Sequence, residues 1–295
     1  MTRRVTAASS EWPQQLDHLD AAAPRQLWIR GDRSLSLLAD SPSVAIVGAR
    51  NASKAGLRCA RELAAGVAAR GVCVVSGLAL GIDAAAHEGA LSTNGRTVAV
   101  LGCGIDTLAP RTNAALGERI VASGAVISEW GPGVEPAPWR FPVRNRLVAA
   151  LADITIVIEA SRRSGALITV DHALAIGRDV CAVPGAPWTD LGEGPLMLLK
   201  AGAIPVGSAT DVLDVLGLPI TDVASEPAEP TGDAGVLWRA LRAEPASRDL
   251  VALRSRLDPG AAVAALTELE LRGLVVEERN GTLVALGRNA SQSAD

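Results

Sequence analysis

The 295-residue chain contains no tyrosine and a single phenylalanine, Phe141, against six tryptophans. A tyrosine nucleophile or acid is therefore excluded. The four cysteines, Cys59, Cys73, Cys103 and Cys181, stand alone in Ala/Val/Gly surroundings with no CxxC pair. That argues against a metal site and for buried, reduced thiols. His18, His87 and His172 are equally scattered and read as structural. No apolar run reaches the ~18–20 residues of a membrane helix. The start, MTRRVTAASSEW, has no apolar core after its arginines, so no secretory signal is expected and the cytoplasm is the default compartment. Nucleotide signatures are missing too. The turn GARNASKAG is not GxGxxG, no acid follows where a ribose would need one, and neither GxxxxGK[ST] nor GxSxG occurs. NAD chemistry and P-loop hydrolysis are weakly supported, and Ser76 or Ser128 has no placed histidine to make it a nucleophile. The expectation is no cofactor and no metal.

What is present describes a globular protein of about two domains. Hydrophobic residues make up 48% and charged residues 20%. The net charge of −4 argues against non-specific nucleic-acid binding, but its distribution changes the argument. Residues 1–42 carry five basic and five acidic groups, residues 43–217 fifteen of each, and residues 218–295 eight against twelve. The net negative charge lies in the last section, and the middle is neutral with arginines concentrated locally.

Residues 1–42 are too short to fold alone. A helical turn near Trp12–Leu19 and a small strand at Leu27–Ile29 should pack on the main domain. Residues 43–217 alternate strand-like runs (Val44–Val47, Val72–Val75, Thr97–Leu101, Ala125–Ile127, Ile154–Ile158, Val180–Val183) with Ala- and Leu-rich helical segments. That alternation predicts a doubly wound, Rossmann-like α/β domain with a mostly parallel sheet. Residues 218–232, LPITDVASEPAEPTG, read as a linker. Residues 233–287 change character. Three short helices (Val236–Leu241, Asp249–Leu253, Ala261–Arg272), with Asp249 and Asp258 as N-caps and Gly273 as C-cap, precede two strands (Leu274–Glu277, Thr282–Leu286) around the turn Arg279-Asn280-Gly281. This is a winged-helix pattern. Residues 288–295 should be a loose tail.

The stretch Phe141–Thr169 carries the functional signal. It predicts a helix with Pro142 at its first position, a buried strand at Ile154–Ile158, and a second helix entered through Arg162, Arg163, Ser164 and Gly165. Arg144, Arg162 and Arg163 sit near helix N-termini, where the dipole disfavours cations. Their placement makes sense if an anion such as phosphate lies between the two ends. The competing explanation is pairing with Glu129, Asp153 and Glu159. Arg144 and Arg146 are two apart and cannot share a helix face, so at least one is structural. Open α/β sheets bind ligands at the carboxyl ends of their strands. Those ends are rich in Gly and Ser (Gly48, Ser76-Gly77, Gly81, Gly102, Ser128), allowing close backbone approach. Nearby lie Arg50, Arg140, Arg144, Arg146, Arg162 and Arg163, interleaved with Trp130, Trp139 and Phe141. Cations for phosphates and aromatics for bases suit single strands held without sequence preference. The alternative is that Phe141 covers the helix start as core, with Trp139 open between the two roles.

Seven segments carry a family resemblance: VAIVGAR (Val44–Arg50), VSGLALGIDAAAH (Val75–His87), VAVLGCGID (Val98–Asp106), ISEW (Ile127–Trp130), FPVRNRLVAAL (Phe141–Leu151), EASRRSGALIT (Glu159–Thr169) and GRDVCAVPG (Gly177–Gly185). In this order they resemble the DNA-processing protein family DprA, also called Smf. The resemblance implies an extended Rossmann-like domain that binds and protects single-stranded DNA. It implies help in loading the RecA recombinase during natural transformation (competence), a homodimer, and no established catalytic activity. It places DNA contacts on Arg50, on Phe141–Arg146 including Asn145 and on Ser164-Gly165, with the GID segment near Gly81 lining the same region and the strand-end Gly77 beside it. With Trp139, Arg140, Arg162 and Arg163 from the strand-end survey, these form the expected site. Three departures stand out. The segment from EWPQQL to LWIRGD reads as a remnant of the SAM-type helical domain with which members often begin. Ala109 replaces a usual tyrosine, and Trp130 another. The third winged helix carries Glu268 and Glu270 against Arg272, favouring protein contact or weak double-strand sensing over independent DNA binding. The alternative function is a Rossmann-like nucleotide hydrolase or phosphoribohydrolase with Glu159 or Glu129 as base.

Overall fold

A computed structural model describes residues 2–31, 41–219, 230–272, 274–277 and 281–285. The chain divides into two compact units, residues 1–220 and 221–295. The first is built on a nine-stranded sheet ordered β1-β2-β6-β5-β4-β3-β7-β8-β9. Its strands are β1 (Thr2–Val5), β2 (Leu27–Arg30), β3 (Ser43–Val47), β4 (Cys73–Ser76), β5 (Thr97–Leu101), β6 (Ala125–Ser128), β7 (Ile154–Val157), β8 (Asp179–Ala182) and β9 (Ile204–Pro205). The seven from β3 onward pair in parallel, with Val44 opposite both Val74 and Ile154, while β1 and β2 add an antiparallel edge beside β6. The β3, β4, β5, β6 and β7 strands are buried along their whole length, which explains their continuous apolar runs.

Chain direction in the sheet reverses at β3. From there β4, β5 and β6 build outward on one side, and β7, β8 and β9 on the other. Right-handed crossovers in opposite directions place their helices on opposite faces. Helices α1 (Lys54–Ala68), α2 (Ile82–Ser92) and α3 (Ala114–Ser123) follow β3, β4 and β5; α4 (Arg140–Ala150), α5 (Ala166–Ala175) and α6 (Asp190–Lys200) flank the second set; α7 (Ala209–Val215) ends the unit. In α1 the residues Ala60, Leu63, Ala64 and Val67 form one buried stripe at helical spacing, packed with α2 and α7. On the other face α4 and α5 share a core with Trp12, Leu16 and Leu19. The 3-10 segment Gln14–Ala22 and β2 thus tie the N-terminal stretch to the main sheet, and β1 adds a strand the sequence pattern did not suggest.

The second unit has helices α8 (Gly232–Ala243), α9 (Arg248–Ser255) and α10 (Pro259–Leu271) and a three-stranded sheet, β10-β12-β11, from β10 (Ala246–Ser247), β11 (Val275–Glu277) and β12 (Thr282–Ala285). Trp238, Leu241, Val251, Leu266, Leu269 and Leu283 fill its own core. Three helices and a hairpin make the winged helix. Asp258 caps α10 through the N–H groups of Gly260 and Ala261. The cap of α9 is Ser247, not Asp249, because the helix begins at Arg248 and the Ser247 hydroxyl takes the Leu250 N–H. Gly273, most of the 218–232 segment, Arg279-Asn280 and the 288–295 tail lie outside the described residues.

Candidate nucleic-acid interface

A cleft of about 350 Å³ opens where β3 and β7 part, at the reversal point of the sheet. Its wall comes from the carboxyl ends of β3 (Gly48, Arg50) and β4 (Gly77), from α4 (Phe141, Pro142, Arg144, Asn145) and from the entry to α5 (Ser164, Gly165). A second cleft of about 380 Å³ shares Arg50, Gly77, Phe141 and Arg144 and continues along Leu80, Leu108, Pro110 and Arg111. Arg50 is exposed, with its guanidinium 5.5 Å from the Phe141 ring centroid, so this stacked pair stands between the two spaces.

The helix that delivers Phe141 begins at Arg140, two residues before the expected start. Pro142 is therefore third in α4 and still among the four positions whose N–H has no helical partner. Neither α4 nor α5 has an N-cap side chain accepting from its first turn, whereas α1, α6 and α7 are capped by Ser53, Thr189 and Ser208. Ser164 Oγ accepts weakly from Ala166 N–H at 3.3 Å, and Asn145 Nδ2 donates to Gly165 O at 3.0 Å, tying α4 to the entry of α5. Two helix starts without N-cap side chains beside an arginine are suited to an anion.

The two arginines of the RNR segment separate cleanly. Arg144, Leu147, Val148 and Leu151 fall on one buried stripe, and Arg144 is only 3% exposed. Its Nη1 donates to Gly77 O at 2.7 Å and to Val100 O, and its Nε to Asn145 Oδ1 at 3.2 Å. Burial depresses its affinity for a proton, Asp83 opposes that, and Arg50 adds to it. Arg146 lies outside both clefts. It grips both oxygens of Glu129 at 2.7 and 2.8 Å and the carbonyls of Ala22 and Val143, which pins the 3-10 segment to α4. Acid pairing thus accounts for Arg146. Asp153 is within 3.6 Å of Arg178.

The turn after β4 is built with equal care. Leu78 takes a positive φ of 59° although it is buried, and Asn113 Nδ2 donates to the carbonyls of Leu78 and Ala79 at 3.0 Å each. Gly81 has φ 77°, and a Cβ there would lie 2.2 Å from Ala49 O, so only glycine lets this turn lie against the Arg50 loop. Gly81 itself does not line either cleft. The GID segment expected near the site contributes Asp83, not named singly by the sequence reading, which lines the first cleft and accepts the N–H groups of Gly77 and Ala79. Its signal was an acid one turn beyond a glycine-rich strand end. Arg111 was missed as well.

Arg140 sits apart, 4.9 Å from the Trp139 ring centroid and 5.9 Å from that of Trp130, and the two rings meet edge to face at 6.5 Å. Trp139 is 58% exposed. Arg162 and Arg163 are exposed and line neither cleft; Arg162 Nε is 4.0 Å from Glu193. Both carboxylates considered as bases are engaged. Glu129 holds Arg146, and Glu159 accepts from Ser53 N–H at 2.8 Å and Ser53 Oγ at 2.6 Å, closing the start of α1.

Comparison with known proteins agrees with this architecture. The model of the family described as DNA recombination-mediator protein A matches residues 3–217, and that of the DprA winged helix domain matches residues 222–281. A putative DNA processing protein DprA of Mycobacterium tuberculosis is 39% identical over 99% of this chain and 79% of its own length. Protein Smf of Escherichia coli is 37% identical over 94% of this chain and 76% of its own. The X-ray structure of DNA processing protein A from Streptococcus pneumoniae superimposes with a TM-score of 0.68 and 40% identity, covering 72% of this chain and 73% of that one. With both family models matched in order across the two units, the chain belongs to the DprA (Smf) family of DNA-processing proteins.

Proposed function

We propose that this protein binds single-stranded DNA along the carboxyl edge of its sheet, protects it, and helps load a RecA-type recombinase during natural transformation, working as a homodimer in the cytoplasm. The observation that carries this reading is the pair of joined clefts at the reversal point of the sheet, divided by the Arg50–Phe141 stack and floored by Arg144. A structure addressing the single-stranded DNA binding mode of Helicobacter pylori DNA processing protein A superimposes on 72% of this chain with a TM-score of 0.64 and 29% identity. In this reading the uncapped first turns of α4 and α5 and the exposed Arg50 meet phosphates, and Phe141 offers a face to a base. Arg144 acts from beneath, and Trp139 with Arg140 extends the track. The protein acts by binding, with no catalytic step, since Glu129 and Glu159 are both committed to holding the fold.

For the winged helix we infer a protein-contact role. The exposed side of α10 shows Val263, Ala264, Thr267 and Glu268. Arg248 is held by Glu270 and Glu277, Arg254 by Glu244 and Arg272 by Glu268. A phosphate-binding face would present clustered free cations instead. The test of the main reading is Arg50→Ala. Affinity for unrelated single-stranded oligonucleotides should fall alike, by about fivefold at 0.1 M salt for one lost phosphate charge. Unchanged affinity, or a loss confined to one sequence, would remove Arg50 from the interface.

A further inference from the structure

Among the described residues lining the first cleft, Asp83 carries the only negative charge, set against Arg50 and Arg144; Glu135 lines the second cleft. A site built to hold an anion gains nothing from an acid in its wall unless that acid has a task. Asp83 is 7% exposed and uses one oxygen, Oδ2, to accept from Gly77 N–H at 3.1 Å and Ala79 N–H at 3.3 Å. On the other side of the same glycine, Arg144 Nη1 donates to Gly77 O at 2.7 Å. Gly77 therefore stands between a carboxylate and a guanidinium. A Cβ on it would lie 2.3 Å from both terminal guanidinium nitrogens, so the cation is packed directly onto this turn.

The two charges act on each other through the turn. Arg144 is the largest influence opposing the burial of Asp83, and Asp83 the largest opposing the burial of Arg144. His87, one helical turn beyond Asp83 on α2, adds no charge. Its Nδ1 is 2.7 Å from Thr97 Oγ1, whose own proton goes to Val74 O, so Nδ1 carries the hydrogen, and burial keeps the ring neutral.

We propose that Asp83 is a charge-setting residue of the nucleic-acid cleft, a built-in counter-anion that cancels much of the field of Arg144 and so keeps a bound strand releasable. This rests on the single-stranded DNA reading above. Arg50 then supplies most of the net attraction at the cleft mouth. Arg144 shapes the floor without adding a full positive charge to it.

Asp83→Asn separates this role from simply tying the turn, because the amide oxygen can still accept both N–H groups while the charge is gone. Oligo-dT titrations at several salt concentrations should show the variant binding about fivefold tighter at 0.1 M salt, with a log–log salt slope steeper by about 0.7, the value for one more effective cation on a single strand. Equal or weaker binding with an unchanged slope would overturn the proposal. A charge-neutral pair gives a second arm that does not burden the fold with an uncompensated guanidinium. Arg144→Gln alone, leaving Asp83 bare, should bind about fivefold more weakly at 0.1 M salt. Asp83→Asn combined with Arg144→Gln should return to within about threefold of the wild type. A double variant as weak as Arg144→Gln alone would overturn the proposal by that route. Wild-type protein showing no salt-dependent binding to oligo-dT would instead overturn the parent reading.

Discussion

At the residue scale, the arginines of the RNR segment show how one sequence motif serves two tasks. Arg146 is a fastener, with an ion pair to Glu129 and carbonyl contacts across to Ala22. Arg146→Ala should lower the unfolding free energy by about 1–3 kcal/mol, since several partly buried partners lose their donor together. It should leave the salt slope of DNA binding unchanged; a shifted slope would put Arg146 back in the interface. His87 governs a different property. Its ring is held down to about 3 by burial, while an unfolded chain takes up the proton near 6.5. Below 6.5 the unfolded state binds more protons, so this contribution is lost as pH falls toward 3, by about 2 kcal/mol at pH 5. Asp83 acts in the opposite sense. Burial raises its folded pKa, so the native state takes the proton first and that contribution fades as pH rises through the folded value. Thermal unfolding of wild type and His87→Asn at pH 7 and pH 5 isolates the histidine. The wild type should lose more stability over that interval, and equal losses would contradict the assignment.

At the element scale, the starts of α4 and α5 share the lack of an N-cap side chain with α2, α3 and α8. What sets them apart is their place in the cleft wall, while the start of α1 is closed. The α1 start is closed twice, by the Ser53 hydroxyl on Gly56 N–H and by Glu159 on Ser53 itself. Ser53→Ala should therefore cost about 1 kcal/mol in chemical denaturation, as a lost N-cap does, without changing DNA affinity. A drop in affinity would place the α1 start within the site. The strand–helix alternation was legible because buried parallel strands and amphipathic helices leave different periods in the chain. What stayed hidden has specific causes. β1, with Arg3 and Arg4 side by side, forms only by pairing with β2 and has no apolar run to announce it. The start of α4 was misplaced because Pro142 tolerates any of the first turn's positions, so it marks a helix start only to within a turn. The separate fates of Arg144 and Arg146 were in fact readable. Arg144 occupies the first place of a stripe completed by Leu147, Val148 and Leu151, which names the buried arginine. Asp83 was hidden because its partners are backbone N–H groups of a turn, and nothing in the spelling of SGLALGID shows which way they point.

At the scale of the whole molecule, each unit has its own core, and their charge differs as their proposed partners do. The first unit gathers arginines at one sheet edge within a neutral segment; the second holds Arg248, Arg254 and Arg272 against neighbouring acids. Among the described residues no helix is long and apolar enough to cross a membrane. The central claim is that the clefts at the reversal point of the sheet hold a single nucleic-acid strand by its backbone. The measurement that tests it most directly is fluorescence anisotropy of labelled single- and double-stranded oligonucleotides of mixed sequence, titrated at low and high salt. If three to five phosphates are neutralised, log affinity for the single strand should fall with log salt at a slope of about −2 to −3.5. The single strand should outcompete the duplex at each salt concentration. Salt-insensitive binding, or a duplex bound as tightly as the single strand, would contradict the account.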